Sequence, residues 1–132
     1  MRKSVLDFLR QLGLQLPEEP VMKSLLELSL LTEPQLEVLL IELGSASLGR
    51  RLSYEEKSRI RGVSKGAYAR TLRQAMENIK RSIYTIFLLS YLGILGENAI
   101  SRILEAADLL KEGRIEESVR LISDVMPRDI TE

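Results

Sequence analysis

Apolar side chains recur every three or four residues along almost the whole chain, whereas strict alternation of apolar and polar residues is absent. This spacing, with the abundance of Leu, Glu, Arg and Ala, favours helices over strands. We therefore predict an all-α fold, with a first helix over about 3–14 and a second over about 20–31. Thr32 follows as the N-cap of a third helix. The apolar positions of that helix are Leu36, Leu39, Leu40 and Leu43.

Two capped helices separated by a very short turn come next. Ser53 and Glu56 have the spacing of a capping box, and Gly62 suits the left-handed end of a short helix. Ser64 then caps another helix, with Val63 as the one residue between the two. Because the turn must cross two helices steeply, a small apolar residue is needed to fill the crossing, and we expect Val63 to do so.

A long helix and a helical hairpin complete the predicted elements. The helical pattern continues without proline over about 65–92, which predicts one helix about 42 Å long. The small residues at 44–49 predict a loop before the capped pair. Near the end of the chain we predict amphipathic helices over about 97–112 and 114–125, hinged at Gly113.

The formal net charge of zero conceals an uneven distribution of charge. Residues 50–81 hold ten basic and three acidic residues and carry +7, whereas 1–49 and 82–132 carry −3 and −4. Charge that served only solubility would have no physical reason to be sorted by position. The cationic segment therefore indicates a surface for a polyanion such as nucleic acid. A solvated helix face is the alternative explanation.

The missing residue types exclude most catalytic chemistry. The chain contains no His and no Cys, which removes imidazole bases, thiolate nucleophiles, Cys/His zinc sites and disulfides. Adjacent carboxylates such as Glu55 and Glu56 diverge by about 100° around a helix, so they do not converge on one ligand. A glycine-rich phosphate-binding loop is also absent. We expect no enzyme activity and no cofactor.

The stretch from 83 to 95 contains no charged residue. A bilayer span needs roughly 20 apolar residues, so the stretch predicts a buried helix or an oligomer interface and no membrane insertion. We expect a homodimer. The residues assigned to its interface are Ile83, Ile86, Phe87, Leu89 and Ser90.

The start of the chain lacks the pattern of a secretory signal. Met1-Arg2-Lys3 leads into a segment that charges interrupt at Asp7 and Arg10. We therefore expect a cytoplasmic protein. The abundance of Glu and Arg and the lack of Cys are also typical of thermophile proteins.

The capped pair reads Leu-Ser-Tyr-Glu-Glu at 52–56 and Gly-Val-Ser at 62–64, followed by a helix that opens with Lys65-Gly66. This sequence resembles region 4 of bacterial sigma factors and the DNA-binding domain of LuxR-type regulators. The segment 31–40 resembles the first helix of the same family. Together the resemblance covers about residues 31–80.

The chain departs from that family in two respects. The link at 44–51 is longer than the family's usual turn between first and second helix. Lys57 and Arg61 occupy positions where the family has apolar residues, so Ile60 has few apolar neighbours on the buried face of this helix. A charged residue at such a position can lay its stem along the core and keep its head in water.

The resemblance implies a helix-turn-helix that binds duplex DNA, with Tyr68 and Leu72 facing the core. It implies that Lys65, Arg70 and Arg73 reach base edges in the major groove, where an arginine can bind guanine O6 and N7 together. Other polar groups would contact phosphates, which fixes position without reading sequence. That phosphate-contacting set is Arg50, Arg51, Lys57, Arg59, Arg61 and Ser64.

We divide the chain into an N-terminal helical pair at 1–31, the helix-turn-helix at 32–82, and a compact unit of apolar helix and helical hairpin at 83–132. The first hypothesis is a transcription regulator that binds double-stranded DNA as a homodimer, alone or with another protein of the transcription machinery. The alternative is a helical protein-interaction or scaffold module without DNA contact, with Lys57 and Arg61 in its contact surface. RNA is less favoured, because the basic segment lacks interleaved aromatic residues for base stacking.

Overall fold

The computed structural model describes residues 1–17 and 19–127, and this part of the chain folds into helices without any strand. The all-α prediction is confirmed. The helices are α1 (Lys3–Gln11), α2 (Glu19–Leu28), α3 (Glu33–Ala46), α4 (Tyr54–Arg61), α5 (Lys65–Tyr91), α6 (Ala99–Lys111) and α7 (Ile115–Val125). They form two compact units, unit 1 comprising Met1–Lys80 and unit 2 beginning at Arg81.

The core of unit 1 joins four helices. Its fully buried side chains come from α1, α3 and α5, and Ile60 of α4 packs against them together with the turn residue Val63. The predicted inward positions Tyr68 and Leu72 both belong to this core. The buried members are Val5, Leu9, Val38, Ile41, Tyr68 and Ala75. Val63 thus fills the crossing between α4 and α5, as the sequence predicts.

Helix α3 differs from its prediction at its C-terminal end and in its buried face. It continues to Ala46, through the first three residues of the predicted 44–49 loop. Gly44 is buried, and a Cβ there would lie 2.6 Å from Cε2 of Phe8 in α1. The missing side chain lets α1 approach α3 closely. Leu43, one of the apolar positions of this helix, is 57% exposed.

We expect Gly44→Val to lower the free energy of unfolding by about 2–3 kcal/mol, because the added side chain overlaps a packed ring. Chemical denaturation followed by circular dichroism measures this change. Gly66→Ala is the matched control, since no atom lies within 4 Å of the corresponding Cβ. The control should be neutral or gain up to about 1 kcal/mol from helix propensity. Equal effects of the two substitutions would contradict the close approach of α1 to α3.

Unit 2 has a small core at the end of α5 and in the α6–α7 hairpin. Leu95, Ala99 and Val125 are its buried apolar cluster, with Ile86 and Leu89 of α5 packed against them. The hydroxyl of Ser118 in α7 donates to the carbonyl of Ala106 in α6 over 2.7 Å. Gly113 joins the two helices with a φ of 80°, which confirms the predicted hinge.

This core changes the placement of two residues of the predicted oligomer interface. Ile86 and Leu89 are partly buried against the core of unit 2, whereas the prediction has them facing a second molecule. Ile83, Phe87 and Ser90 are exposed. The cause is that the second half of α5 is apolar around most of its circumference, and periodicity alone does not indicate which side is covered. Among the described residues, no helix has the length and hydropathy that a membrane crossing needs.

Candidate nucleic-acid interface

Local hydrogen bonds set the geometry of α4, the turn at 62–64 and the start of α5. Ser53 and Glu56 form the predicted capping box, in which each side chain accepts from the backbone N–H of the other. The Ser53 N–H also lowers the pKa of the Glu56 carboxyl. At the other end of α4, Gly62 adopts a φ of 81°, a left-handed conformation that residues with a Cβ rarely adopt.

The turn leads directly into α5. The backbone N–H of Val63 donates to the Ser58 carbonyl over 3.0 Å, which closes the end of α4. The Ser64 hydroxyl accepts from the Ala67 N–H over 3.1 Å, as an N-cap does. The three-residue connection therefore fixes where the first turn of α5 lies, and with it the position of Lys65.

Glu42 of α3 holds α4 and α5 together from one carboxylate. Its Oε2 accepts from Nζ of Lys57 over 2.9 Å, and its Oε1 accepts from the Tyr68 hydroxyl over 3.0 Å. Nζ of Lys57 also lies 5.4 Å from the ring centroid of Tyr54. Burial, and then the nearby charge of Glu42, raises the pKa of Tyr68 well above its usual value, so the phenol stays a hydrogen-bond donor. This network ties the start of α5 to the other two helices.

A second, more deeply buried ion pair joins α3 to the C-terminal end of α4. Nε of Arg61 lies 3.5 Å from Oε1 of Glu37, with the two side chains 8% and 4% exposed. Oε2 of Glu37 accepts from the backbone N–H of Arg2 over 2.8 Å. The guanidinium of Arg2 in turn donates to the Arg61 carbonyl over 2.7 Å and to that of Gly62 over 3.3 Å. Arg2 thus satisfies carbonyls at a helix C-terminus, where a cation is favourable.

These two networks remove Lys57 and Arg61 from the predicted phosphate-contacting set. Arg61 is buried, and the Lys57 side chain is 11% exposed and paired with Glu42. The Lys57 ammonium and the Arg61 guanidinium therefore do not extend into solvent, although the sequence predicts that they would. The physical reason is that two carboxylates on α3, the buried Glu37 and the partly buried Glu42, offer the cations partners inside the fold, where an isolated charge is costly.

The predicted base-contacting residues share one exposed face of α5. Lys65, Arg70 and Arg73 are all exposed, and none forms an ion pair with any described residue. Within unit 1 Lys80 is also exposed, seven residues beyond Arg73. The four positions span an arc of about 140° around the helix. The core residues Tyr68 and Ala75 lie on the opposite side. We call Lys65, Arg70, Arg73 and Lys80 the cationic face.

The remaining predicted phosphate-contacting residues stay at the surface of unit 1. Arg50 pairs with Glu56 over 3.2 Å, and Arg59 with Glu55 over 2.9 Å, with all four side chains well exposed. Arg51 is exposed and has no ion pair with a described residue. Exposed pairs contribute little to stability, so Arg50 and Arg59 can exchange their carboxylates for phosphates at low cost. The Ser64 hydroxyl is already engaged in capping α5.

Sequence reasoning did not assign a role to Arg2, Glu37, Glu42 or Lys80. The recurrence of a cation at Arg73 and Lys80, seven residues apart on one helix, is a signal that would have found Lys80. The sequence around Glu37 and Glu42 gives no such signal. Their cationic partners on α4 come within reach only when α4 packs against α3. Within the described part of the chain, no group of three or more carboxylates is placed to hold a metal ion.

Comparison of the chain with protein-family models, with curated proteins and with solved structures finds no match. Function is therefore inferred from the contacts, exposure and charge of the residues themselves.

Proposed function

We propose that unit 1 binds double-stranded DNA by placing the cationic face of α5 in the major groove, as a transcription regulator of the helix-turn-helix class. One observation carries this proposal. Within residues 50–81, the cations that point inward or towards carboxylates of α4 form ion pairs, whereas Lys65, Arg70 and Arg73 are exposed and form no ion pair with a described residue. Holding three unpaired cations on one side of a helix suits a polyanionic ligand.

The dimensions of the face fit a groove. Lys65 and Arg73 are eight residues apart, or about 12 Å along a helix axis, which matches the roughly 12 Å width of the major groove. Gly66 and Ala69 lie among the cations, and open space surrounds Gly66. Small residues there let the helix backbone approach base edges. Arg70 and Arg73 then reach guanine O6 and N7, and Arg51 contacts a phosphate.

The contacts of Glu37 and Glu42 on the buried side of unit 1 also support DNA binding by α5. A recognition helix reads base edges only if its angle and depth are fixed by the rest of the domain. Glu42 holds Tyr68 and Lys57, and Glu37 holds Arg61 at the end of α4. These contacts fix α5 from its buried side and do not involve the four cations of the cationic face.

We expect Arg73→Ala to weaken binding to duplex DNA by roughly 10-fold or more, because it removes one two-pronged base contact or one phosphate contact. Fluorescence anisotropy of a labelled duplex, at fixed salt, measures the dissociation constant. Arg120→Ala is the matched control. Arg120 is an exposed arginine of α7 that forms no ion pair with a described residue, so its removal changes net charge equally. The control should change affinity less than twofold.

Two outcomes would count against the proposal. Equal weakening by Arg73→Ala and Arg120→Ala would indicate non-specific attraction between net charges, with no role for the cationic face. Unchanged affinity in both variants would place any DNA contact elsewhere on the molecule.

A protein-interaction module is the second candidate. The observation that favours it is the set of exposed apolar residues on α2, where Leu25, Leu28 and the following Leu30 are 50%, 85% and 68% exposed. Large exposed apolar groups often mark a protein contact. This candidate predicts no duplex binding at low salt. It also predicts that the cationic face meets an acidic protein surface.

A further inference from the structure

Among the described residues of unit 2, a continuous set of large apolar side chains on α5 is exposed. Tyr84, Phe87, Leu88 and Tyr91 are 62%, 67%, 54% and 82% exposed. Their spacing of three, one and three residues places them along one side of the helix, within an arc of about 100°. We call these four residues the apolar stripe. Ile86 and Leu89, which pack in the core of unit 2, lie on the other side of the same helix.

The stripe is too large to be ordinary surface. With the neighbouring Ile83 and Leu92, it exposes roughly 770 Å² if a fully exposed large side chain presents about 200 Å². The largest apolar patch on a typical monomer is about 300–600 Å². A standard protein–protein interface buries about 800 Å² on each partner. The stripe and its two neighbours therefore supply nearly the area that one side of a stable interface needs.

The charge around the stripe selects the kind of partner. No charged residue occurs between Ser82 and Gly96, so a nucleic acid or a strongly charged protein finds no complementary group there. In a twofold dimer each patch meets its own copy, so a charged patch would repel itself. A neutral patch of aromatic and aliphatic side chains meets its own copy without that cost.

The small core of unit 2 points the same way. Its buried apolar cluster is Leu95, Ala99 and Val125, two of which have small or medium side chains. Domains of this size bury too little surface to be more than marginally stable alone. Pairing two units would cover aromatic rings that a single unit leaves in water.

We propose that two copies of this chain pair through the apolar stripes of α5, forming a twofold dimer. The interface consists of Tyr84, Phe87, Leu88 and Tyr91, flanked by Ile83 and Leu92. This pairing does not depend on DNA binding, because it rests on exposure and charge in unit 2 alone. It retains Ile83 and Phe87 from the interface that the sequence predicts.

Sedimentation velocity of the full chain without DNA tests the pairing over about 1–100 μM, the range in which a moderately tight dimer dissociates. We expect twice the chain mass at the upper concentration. The variant Phe87→Glu/Tyr91→Glu should weaken association by roughly 100-fold or more, since two aromatic contacts near the centre are lost. Leu104→Glu on α6 is the control, because Leu104 is 63% exposed but lies outside the stripe. It should leave the dimer intact.

If Phe87→Glu/Tyr91→Glu disturbs folding, a cysteine variant provides an independent test of the dimer. The chain has no cysteine, so Leu88→Cys introduces a single thiol. Mild oxidation should give a covalent dimer in Leu88→Cys and none in Leu104→Cys, because Leu88 lies at the middle of the stripe, where the twofold axis places a residue next to its own copy. A wild-type monomer at every concentration would overturn the proposal. So would an assembly larger than two, or loss of the dimer in Leu104→Glu alone.

Discussion

Glu37→Ala should lower the free energy of unfolding by about 3–5 kcal/mol, because it leaves the guanidinium of Arg61 buried without a counter-charge. The two side chains are 4% and 8% exposed, so water does not replace the missing carboxylate. The substitution also removes the acceptor of the Arg2 backbone N–H. Urea denaturation followed by circular dichroism measures the change.

Two further variants distinguish the buried pair from an ordinary surface pair. Glu55→Ala breaks the exposed pair with Arg59 and should cost less than about 0.5 kcal/mol. The double variant Glu37→Met/Arg61→Met replaces both buried charges by apolar groups and should recover at least half of the loss. If Glu37→Ala costs no more than Glu55→Ala, the pair is not buried in solution.

Tyr68→Ala should lower the free energy of unfolding by about 3–5 kcal/mol as well, because it leaves a cavity at the centre of the unit 1 core. The ring is fully buried among residues of α1 and α3, and its hydroxyl donates to Glu42. Tyr68→Phe removes only the hydroxyl and should cost about 1 kcal/mol. Duplex affinity at a temperature where both variants are folded should fall more for Ala, because the ring positions α5.

Tyr68 also predicts how stability depends on pH. Burial and Glu42 raise the pKa of its hydroxyl above the ordinary value of 10.0. The folded protein therefore holds this proton more tightly than the unfolded chain does. Its contribution to stability is complete below pH 10 and is lost as pH rises above that value, by about 1.4 kcal/mol per pH unit. Tyr68→Phe should lose stability less steeply above pH 10, as denaturation at several alkaline pH values would show. Identical slopes for both proteins would contradict a buried, protonated Tyr68.

The elements that the sequence predicts best are those whose signals are local. Ser53 with Glu56, Gly62 and Ser64 each act on backbone groups within four residues, and the structure has α4 and the start of α5 at the predicted residues. The inward direction of Tyr68 and Leu72, which the resemblance implies, agrees with their spacing of four residues along one helix. These features need no knowledge of what α4 and α5 pack against.

The features that were not predicted depend on residues distant in the chain. Gly44 reads as a turn residue until Phe8 of α1 is seen packing over it. Arg61 resembles its exposed neighbours in sequence, and only Glu37 of α3 explains why it is buried. The same limit applies to Leu89, which periodicity does not distinguish from the exposed Leu88. Tertiary partners decide all three.

Duplex DNA binding by the cationic face is the central claim, and its salt dependence tests it most directly. Fluorescence anisotropy of the wild-type chain with a duplex of about 20 base pairs should give a logarithmic plot of affinity against salt with a slope of about −3, as expected when Arg50, Arg51 and Arg59 neutralise about three phosphates. No binding at about 50 mM salt, or binding that salt does not weaken, would contradict the claim.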